Sequence, residues 1–496
     1  MFLLQVVLVG LYGLCLLLLL GFSLTQWHLT RLARRAYARL AEDAPPAPPQ
    51  WPRLTVQLPL YNEQYVVERL IDACTALRYP THRLHLQILD DSTDETVALV
   101  AARVAYYQAQ GLRIDHVRRP ERTGFKAGAL AHGLTLTDGE LVAIFDADFV
   151  PEPDFLERTV PHFFRDEPNG SRTGVVQTRW GHLNEEFSLL TTLQAFGLNA
   201  HFYVEQVGRQ QGGHFLNFNG TGGIWRRACI EDAGSWSADT LTEDLDLSYR
   251  AQLRGWQFRY LPQVAAPAEL PATMDALKSQ QFRWTKGAAE TARKHLGRVW
   301  RSSQPLSTRL HATFHLLNSC VFVAILVMAV LSVPLVFVRA VGAEELRPVF
   351  WLAAFFLLAL VPLTFYFRTA WQQARQHRQP PGPGFAGQLL LFLAFSMGLS
   401  LHNSRAVLLG LIGRSTAFIR TPKLGLLQGP GAWRGRRYRT SRLLSGLTWL
   451  EGLLAAYFLF GIGAGLYLHE YGLLPTHLLL ATGYGLVFFY SLRHAE

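Results

Sequence analysis

Leu86-Gln87-Ile88-Leu89-Asp90-Asp91-Ser92 and Leu141-Val142-Ala143-Ile144-Phe145-Asp146-Ala147-Asp148 share one pattern, a short apolar β-rich run that closes on paired acids. Runs of this length with polar ends read as buried strands. Beside them, Leu54 to Leu58 reads as a further strand, and Glu63 to Leu77 and Thr96 to Gln110 read as helices. This alternation predicts an α/β domain, a largely parallel sheet covered by helices. Both acidic pairs then sit at the carboxyl ends of strands, the edge where open α/β sheets bind ligands.

Outward from this core, composition shifts towards the membrane. The chain has 496 residues, 49% of them hydrophobic and only 17% charged, and the apolar excess lies in runs. Leu3 to Leu24 carries no charge and is long enough for a bilayer crossing, which takes about 20 apolar residues. It lacks the basic start and small-residue cleavage site of a signal peptide, and Arg31, Arg34, Arg35 and Arg39 follow it. We read residues 1–30 as a retained anchor and 31–52 as a basic, Pro-rich linker. Residues 53–290 form the cytoplasmic α/β domain and 291–313 an interfacial helix region. Crossings are expected at 314–338, 349–367, 446–468 and 473–492.

Positive residues in the connections set the topology. Arg368, Arg375 and Arg378 mark one connection, and the 412–445 segment carries eight basic residues, from Arg414 to Arg442, with no acid. Both read as cytoplasmic. The run between them, 387–411, is interrupted by Ser396, Gly398, Ser400, His402, Asn403, Ser404 and Arg405 and reads as interfacial or re-entrant. The count is five crossings; the alternative has six, with the basic segment outside. The same clustering explains the net charge of +10 and argues against a nucleic-acid partner. Cys15, Cys74, Cys229 and Cys320 are scattered, with no Cys-x-x-Cys pair for zinc or redox chemistry.

Three groups of residues carry chemistry. Asp146 and Asp148, at i and i+2 on an extended end, can converge on a hard divalent cation, Mg2+ or Mn2+, that bridges phosphates. Thr242-Glu243-Asp244-Leu245-Asp246 reads both as a helix start and as the source of a general base. Asp244 leads Glu243 and Asp246 for that role. In Gln280-Gln281-Phe282-Arg283-Trp284, Arg283 offers a planar fork for a pyrophosphate, Gln280 a neutral hydrogen bond and Trp284 an apolar face for a sugar ring. An amphipathic surface helix anchored by Trp284 explains the same residues.

With these residues in place, the chain resembles the inverting, membrane-integrated glycosyltransferases of family 2, the group of cellulose synthase, hyaluronan synthase and glucomannan mannosyltransferases. Pro59-Leu60-Tyr61-Asn62-Glu63, Lys126-Ala127-Gly128-Ala129-Leu130, Phe145-Asp146-Ala147-Asp148-Phe149 and Phe218-Asn219-Gly220-Thr221 echo the cellulose-synthase-like mannan synthases. The resemblance implies a GT-A-type nucleotide-sugar-binding domain. It implies that Tyr61, Glu63, Asp90 and Asp91 surround the nucleoside with Lys126 close by, and that Asp146 and Asp148 hold the diphosphate and its metal. Asp244 becomes the general base. Gln280, Arg283 and Trp284 cover the donor and the acceptor end, and Gln177, Phe218, Asn219, Gly220, Thr221 and Glu243 fall on the acceptor side. Phe418-Ile419-Arg420-Thr421-Pro422-Lys423 resembles the gating loop of cellulose synthase, with Arg420 in place of a valine.

The expected activity is transfer of a hexose from a nucleotide sugar, GDP-mannose or UDP-glucose, to a growing β-linked polysaccharide extruded through the plasma membrane. One alternative transfers a single sugar to a membrane lipid. Another is a transporter or scaffold that only binds nucleotide. Oligomeric state and an accessory export partner stay open.

Overall fold

The computed structural model describes residues 2–38, 45–164, 172–341, 356–376, 384–416, 419–425 and 445–494. Seven strands form one sheet: β1 (Leu54–Leu60), β2 (Leu84–Asp90), β3 (Ile114–Val117), β4 (Leu141–Ile144), β5 (Thr173–His182), β6 (Gly223–Arg226) and β7 (Gln257–Ala268). Their order is β3-β2-β1-β4-β6-β5-β7. The first four pair in parallel, β6 runs antiparallel to both β4 and β5, and β7 is parallel to β5. The sheet is therefore mixed and mostly parallel, as the alternation of runs predicts.

Side chains on successive strand residues point to opposite faces, and β4 uses both. Leu141, Ala143 and Phe145 join one hydrophobic cluster, while Val142 and Ile144 join a second on the other face. Burial of each leucine or isoleucine stabilises the fold by about 1.5–3 kcal/mol. β1 alternates differently: Leu54, Val56, Leu58 and Leu60 are core, whereas Thr55 and Gln57 are buried polar residues. Gln57 donates to Gln87 Oε1 at 3.0 Å, beneath the Phe125–Thr135 helix. There Gly133 passes so close that a Cβ would lie 2.6 Å from Gln57 Nε2.

The N-terminal helix runs Phe2–Tyr37, past the expected boundary at residue 30, because no helix breaker intervenes before the prolines that begin at Pro45. At 1.5 Å per residue its 36 residues span about 54 Å, beyond the roughly 30 Å of a bilayer core. The surplus reaches the α/β domain. Tyr37 Oη donates to the Tyr203 carbonyl at 3.0 Å, and a Cβ on Gly208 would lie 2.4 Å from the Leu29 carbonyl.

Met274–Arg301 is one continuous helix across the expected boundary at 290. It presents Gln280, Arg283 and Trp284 to the sheet edge, while Lys278 pairs with Glu451 at 2.7 Å in the Gly446–Tyr467 helix and donates to Ser491 Oγ at 2.9 Å. Glu451 is fully buried.

Among the described residues, Gln5–Tyr37, Cys320–Ala340 and Gly446–Tyr467 are long and apolar enough to cross a membrane, and the protein is membrane-associated. Phe385–Gly398 and Ser400–Ile412 form a pair bent by 51°, one further span if continuous. The bend falls where Ser400 Oγ returns to the Met397 carbonyl at 2.6 Å and shares a 2.9 Å bond with Tyr484 Oη. Leu474–Arg493 is of spanning length but less apolar, and the first part of the expected 349–367 crossing and most of the 412–445 segment lie outside the described residues.

Backbone contact between small residues holds the bent pair to the terminal helix, the usual device where lipid gives helices no hydrophobic reason to associate. A Cβ on Gly398 would lie 2.3 Å from the Gly483 carbonyl oxygen. Gly483→Ala therefore forces two backbones apart and is expected to cost about 1–3 kcal/mol, read as a lower thermal midpoint of the detergent-solubilised protein.

Candidate active site

β4 ends at Ile144, and the chain turns so that Asp146 and Asp148 leave the sheet edge together. The Asp146 amide donates to Thr221 Oγ1 at 2.9 Å, which fixes the turn against the β6 side of the sheet. Lys126, from the helix after β3, donates to Asp146 Oδ1 at 2.6 Å and to the Gly220 carbonyl at 2.9 Å. Asp148 is buried; its Oδ2 accepts from Lys423 Nζ at 2.5 Å, and its Oδ1 has no hydrogen-bond partner. Burial pushes the Asp148 carboxyl above its usual range despite Lys423.

The Glu243–Leu253 helix begins beside this turn with three acids in its first turn. The helix-start reading holds as well, since the helix begins directly after Thr242 with these acids in its first turn, although Thr242 makes no side-chain capping bond. Their surroundings separate them. Asp246 is fully buried and locked by His295 at 2.7 Å and Arg250 at 2.8 Å, a structural role. Glu243 and Asp244 face the cleft. Asp244 Oδ1 accepts from the Leu245 amide at 2.8 Å, and Oδ2 lies against Gly220, whose φ of 79° is in the left-handed region. Burial and then the neighbouring Glu243 charge raise Asp244 to about 7.

The opposite wall comes from three outlying elements. Asn62 takes a φ of 57°, which asparagine tolerates, and its amide donates to Ser92 Oγ at 2.8 Å. That turn aims Tyr61 and Glu63 into the cleft and delays the following helix to Val67. Gln280, Arg283 and Trp284 share one face of the long helix, and Trp284 lies 6.3 Å from Trp180 between ring centroids. Gly287 lets that helix dock, since a Cβ there would lie 2.5 Å from Thr242 Cγ2. Residues 419–425 close over the top: Arg420 pairs with Glu63 at 2.8 Å, Arg283 donates to Thr421 Oγ1 at 2.7 Å, and the Gly425 amide donates to Glu269 at 3.0 Å. Phe418 lies outside the described residues.

The cleft thus gathers Tyr61, Glu63, Asp91, Lys126, Asp146, Asp148, Asn219, Gly220, Glu243, Asp244, Gln280, Arg283, Trp284, Arg420, Thr421 and Lys423. Four expected site residues stand behind its wall. Asp90 is buried and bonded to His116 at 2.9 Å and to the Ser92 amide at 2.9 Å. Gln177 binds the backbone at Thr178, Thr221, Gly222 and Asn219, Phe218 packs on Trp225, and Thr221 holds Asp146. They position the 219–221 turn and the sheet edge. Two arginines were missed by the motifs. Arg122 lies over the Tyr61 ring at 3.4 Å in the cleft, and Arg119 grips Asp91 through two nitrogens at 3.0 and 2.5 Å. Both follow the carboxyl end of β3, where the sheet-edge rule would have pointed to them.

The residues fit a hard divalent ion. Asp148 keeps a buried, unpartnered oxygen, and the Asp146 carboxylate is only partly covered. Among the described residues no third acid, histidine or cysteine stands close enough to complete a protein cage around them. Ions of the Mg2+ type are commonly held by one or two carboxylates with substrate phosphates supplying further oxygens.

Residues 52–287 match the family model described as Glycosyltransferase like family 2. Glucomannan 4-beta-mannosyltransferase 2 of Arabidopsis thaliana is 34% identical over 392 residues, which cover 76% of this chain and 68% of that protein. Probable glucomannan 4-beta-mannosyltransferase 3 of Oryza sativa subsp. japonica is 44% identical over 248 residues, 49% of this chain and 44% of that one. The chain spans roughly two-thirds of the length of most of these plant relatives. Among solved structures, the mannosyltransferase PcManGT from Pyrobaculum calidifontis, in complex with GDP-Man and Mn2+, superposes with a TM-score of 0.52 at 20% identity, covering 75% of this chain and all of that one. That likeness establishes a GT-A-like fold for the mixed sheet. With the cleft geometry, these matches place the chain in glycosyltransferase family 2.

Proposed function

We propose that this glycosyltransferase moves mannose from GDP-mannose to the growing end of a β-1,4-linked glycan, with inversion at the anomeric carbon, and passes the polymer through the membrane. The plant relatives' names support mannosyl transfer, and the solved fold neighbour bound to GDP-Man and Mn2+ agrees with them. One observation carries the mechanism. Asp244, raised to about 7, faces the same cleft as Asp146, Asp148 and Arg283.

Asp146 and Asp148 would hold a divalent cation, Mn2+ or Mg2+, which would offset charge on the leaving diphosphate. The chain's own groups do the rest. Arg283 and Lys126 offer cationic donors to the diphosphate oxygens, and Tyr61 with Arg122 forms a flat surface for the nucleoside. Trp284 and Trp180 give apolar faces to sugar rings. Asp244 takes the proton of the attacking glycan hydroxyl as that oxygen approaches from the face opposite the leaving group, so an α-linked donor yields a β-linkage. The 419–425 segment lies over the cleft, held by Arg420 to Glu63 and by Thr421 to Arg283. The basic connections support a catalytic domain on the cytoplasmic side of the plasma membrane.

Replacement of Asp244 by Asn keeps the shape and removes the base. Transfer is expected to fall by about 100- to 10,000-fold while GDP affinity, measured by calorimetry, stays unchanged. In the wild type the active carboxylate form accumulates as pH rises through about 7, so kcat/KM should climb across that pH and then level off. A flat profile between pH 6 and 8 removes Asp244 from the role. Gly220→Ala drives a Cβ to within 2.9 Å of Asp244 Oδ2 and strains a positive φ, and should slow transfer at least about tenfold with GDP affinity kept. Incubation of purified protein with radiolabelled GDP-mannose, then sizing and digestion with a β-1,4-mannanase, should give a long, digestible product. A lipid carrying one sugar would overturn the polymer reading.

A further inference from the structure

Away from the cleft, three histidines meet where the N-terminal helix leaves its apolar stretch. His28 lies on that helix, His214 follows the Gln206–Gln211 helix, and His311 belongs to the Leu306–Leu316 helix. One ring nitrogen of each lies within 4.8 Å of one from each of the others. His28 Nδ1 is 2.8 Å from His311 Nε2, and the His214 and His311 rings stack with centroids 3.9 Å apart. His214 and His311 are 6% and 7% exposed, yet His214 Nε2 and His311 Nδ1 are buried without a hydrogen-bond partner. His214 Nδ1 meets Thr308 Oγ1 at 3.2 Å.

Packing alone is a poor explanation of this arrangement. A buried imidazole nitrogen with no partner costs about 1–3 kcal/mol, and each of the two stacked rings carries one. The donor set decides the ion. Three imidazoles with no carboxylate or thiolate favour Zn2+ and the later d-block ions over Mg2+, Mn2+ and Ca2+, which prefer oxygen. Tetrahedral bonds of about 2.1 Å put ligand nitrogens about 3.4 Å apart, a spacing between the 2.8 Å of the His28–His311 pair and the 4.8 Å that bounds all three. Thr308 already orients His214 from outside, as second-layer partners of metal-bound histidines do. The exposed side of His28 leaves a fourth position for water. Arg209 opposes a cation here, and the buried Glu205 one turn earlier on the same helical stretch carries the opposite charge.

We infer that His28, His214 and His311 form a zinc-class site, separate from the carboxylates of the cleft, that staples the membrane anchor to the catalytic domain and to the Leu306–Leu316 helix. The test uses the untagged full-length chain in detergent, stripped with a chelator and titrated separately with Zn2+, Co2+ and Mn2+. Metal content per chain, the visible spectrum of the Co2+ form and the thermal midpoint are read. One Zn2+ or Co2+ per chain is expected, with tetrahedral Co2+ absorption and a Zn2+-dependent rise in midpoint, all retained in Asp148→Asn and undisturbed by Mn2+. His28→Gln, at an exposed position that does not threaten folding, should weaken Zn2+ binding at least about 100-fold, and Thr308→Val about 10-fold. A wild type that retains no Zn2+ after gel filtration, or a His28→Gln chain that binds as tightly as wild type, overturns the site.

Discussion

Five carboxylates, Glu63, Asp146, Asp148, Glu243 and Asp244, converge on one cleft, and their mutual repulsion is the constraint around which the rest is arranged. Two like charges 4 Å apart near a protein surface repel by about 4 kcal/mol, so the cluster exists only because cations are brought to it. The sheet contributes two of the acids, Asp146 and Asp148, whereas the cations come from outside the strands: Lys126 from a helix, Arg283 from the membrane-facing helix, Arg420 and Lys423 from the covering segment. Acids and bases thus arrive by different routes, and the cleft is complete only when sheet, long helix and cover are assembled.

The acid half was legible in the sequence. Asp146 and Asp148 close an apolar run, and a rule about strand ends placed them correctly without any contact information. Asp244 was legible as the lead of three acids, but the physical reason that sets Asp246 apart was not, because it depends on a contact with His295 on another helix. Chain spacing does not encode such a contact. The same holds for Asp90, Gln177, Phe218 and Thr221. Their types and positions match a binding motif, yet each side chain turns inward: Asp90 to His116 and the Ser92 amide, Gln177 to the Asn219 amide, Phe218 to Trp225 and Thr221 to the Asp146 amide.

Strands were unevenly legible for a related reason. β1, β2 and β4 are buried apolar runs with strong signals. β7 contains Pro262 and Pro267, which argue against a central strand. It lies at the end of the sheet, where a missing N–H is tolerated, and its pairing with β5 slips between Thr178 and Arg179, opposite Leu261 and Ala265. Edge position and irregular pairing are tertiary facts, so the prolines masked a real strand.

The long helix limits how this site can move. Lys278 and Arg283 are five residues apart, about 140° around a helix at 100° per residue, so one serves the membrane helices while the other serves the cleft. Rotation of the helix to widen the cleft would pull Lys278 from Glu451, and stranding one partner of a buried pair costs about 3–5 kcal/mol. The 419–425 segment is held by buried pairs of its own on the cleft side. Its cationic contacts, Arg420 with Glu63 and Lys423 with Asp148, are made to acids that a bound cation or diphosphate would reorganise. The helix that bears Arg283 and Trp284 is thereby tied on one side to the membrane helices and on the other to the cleft.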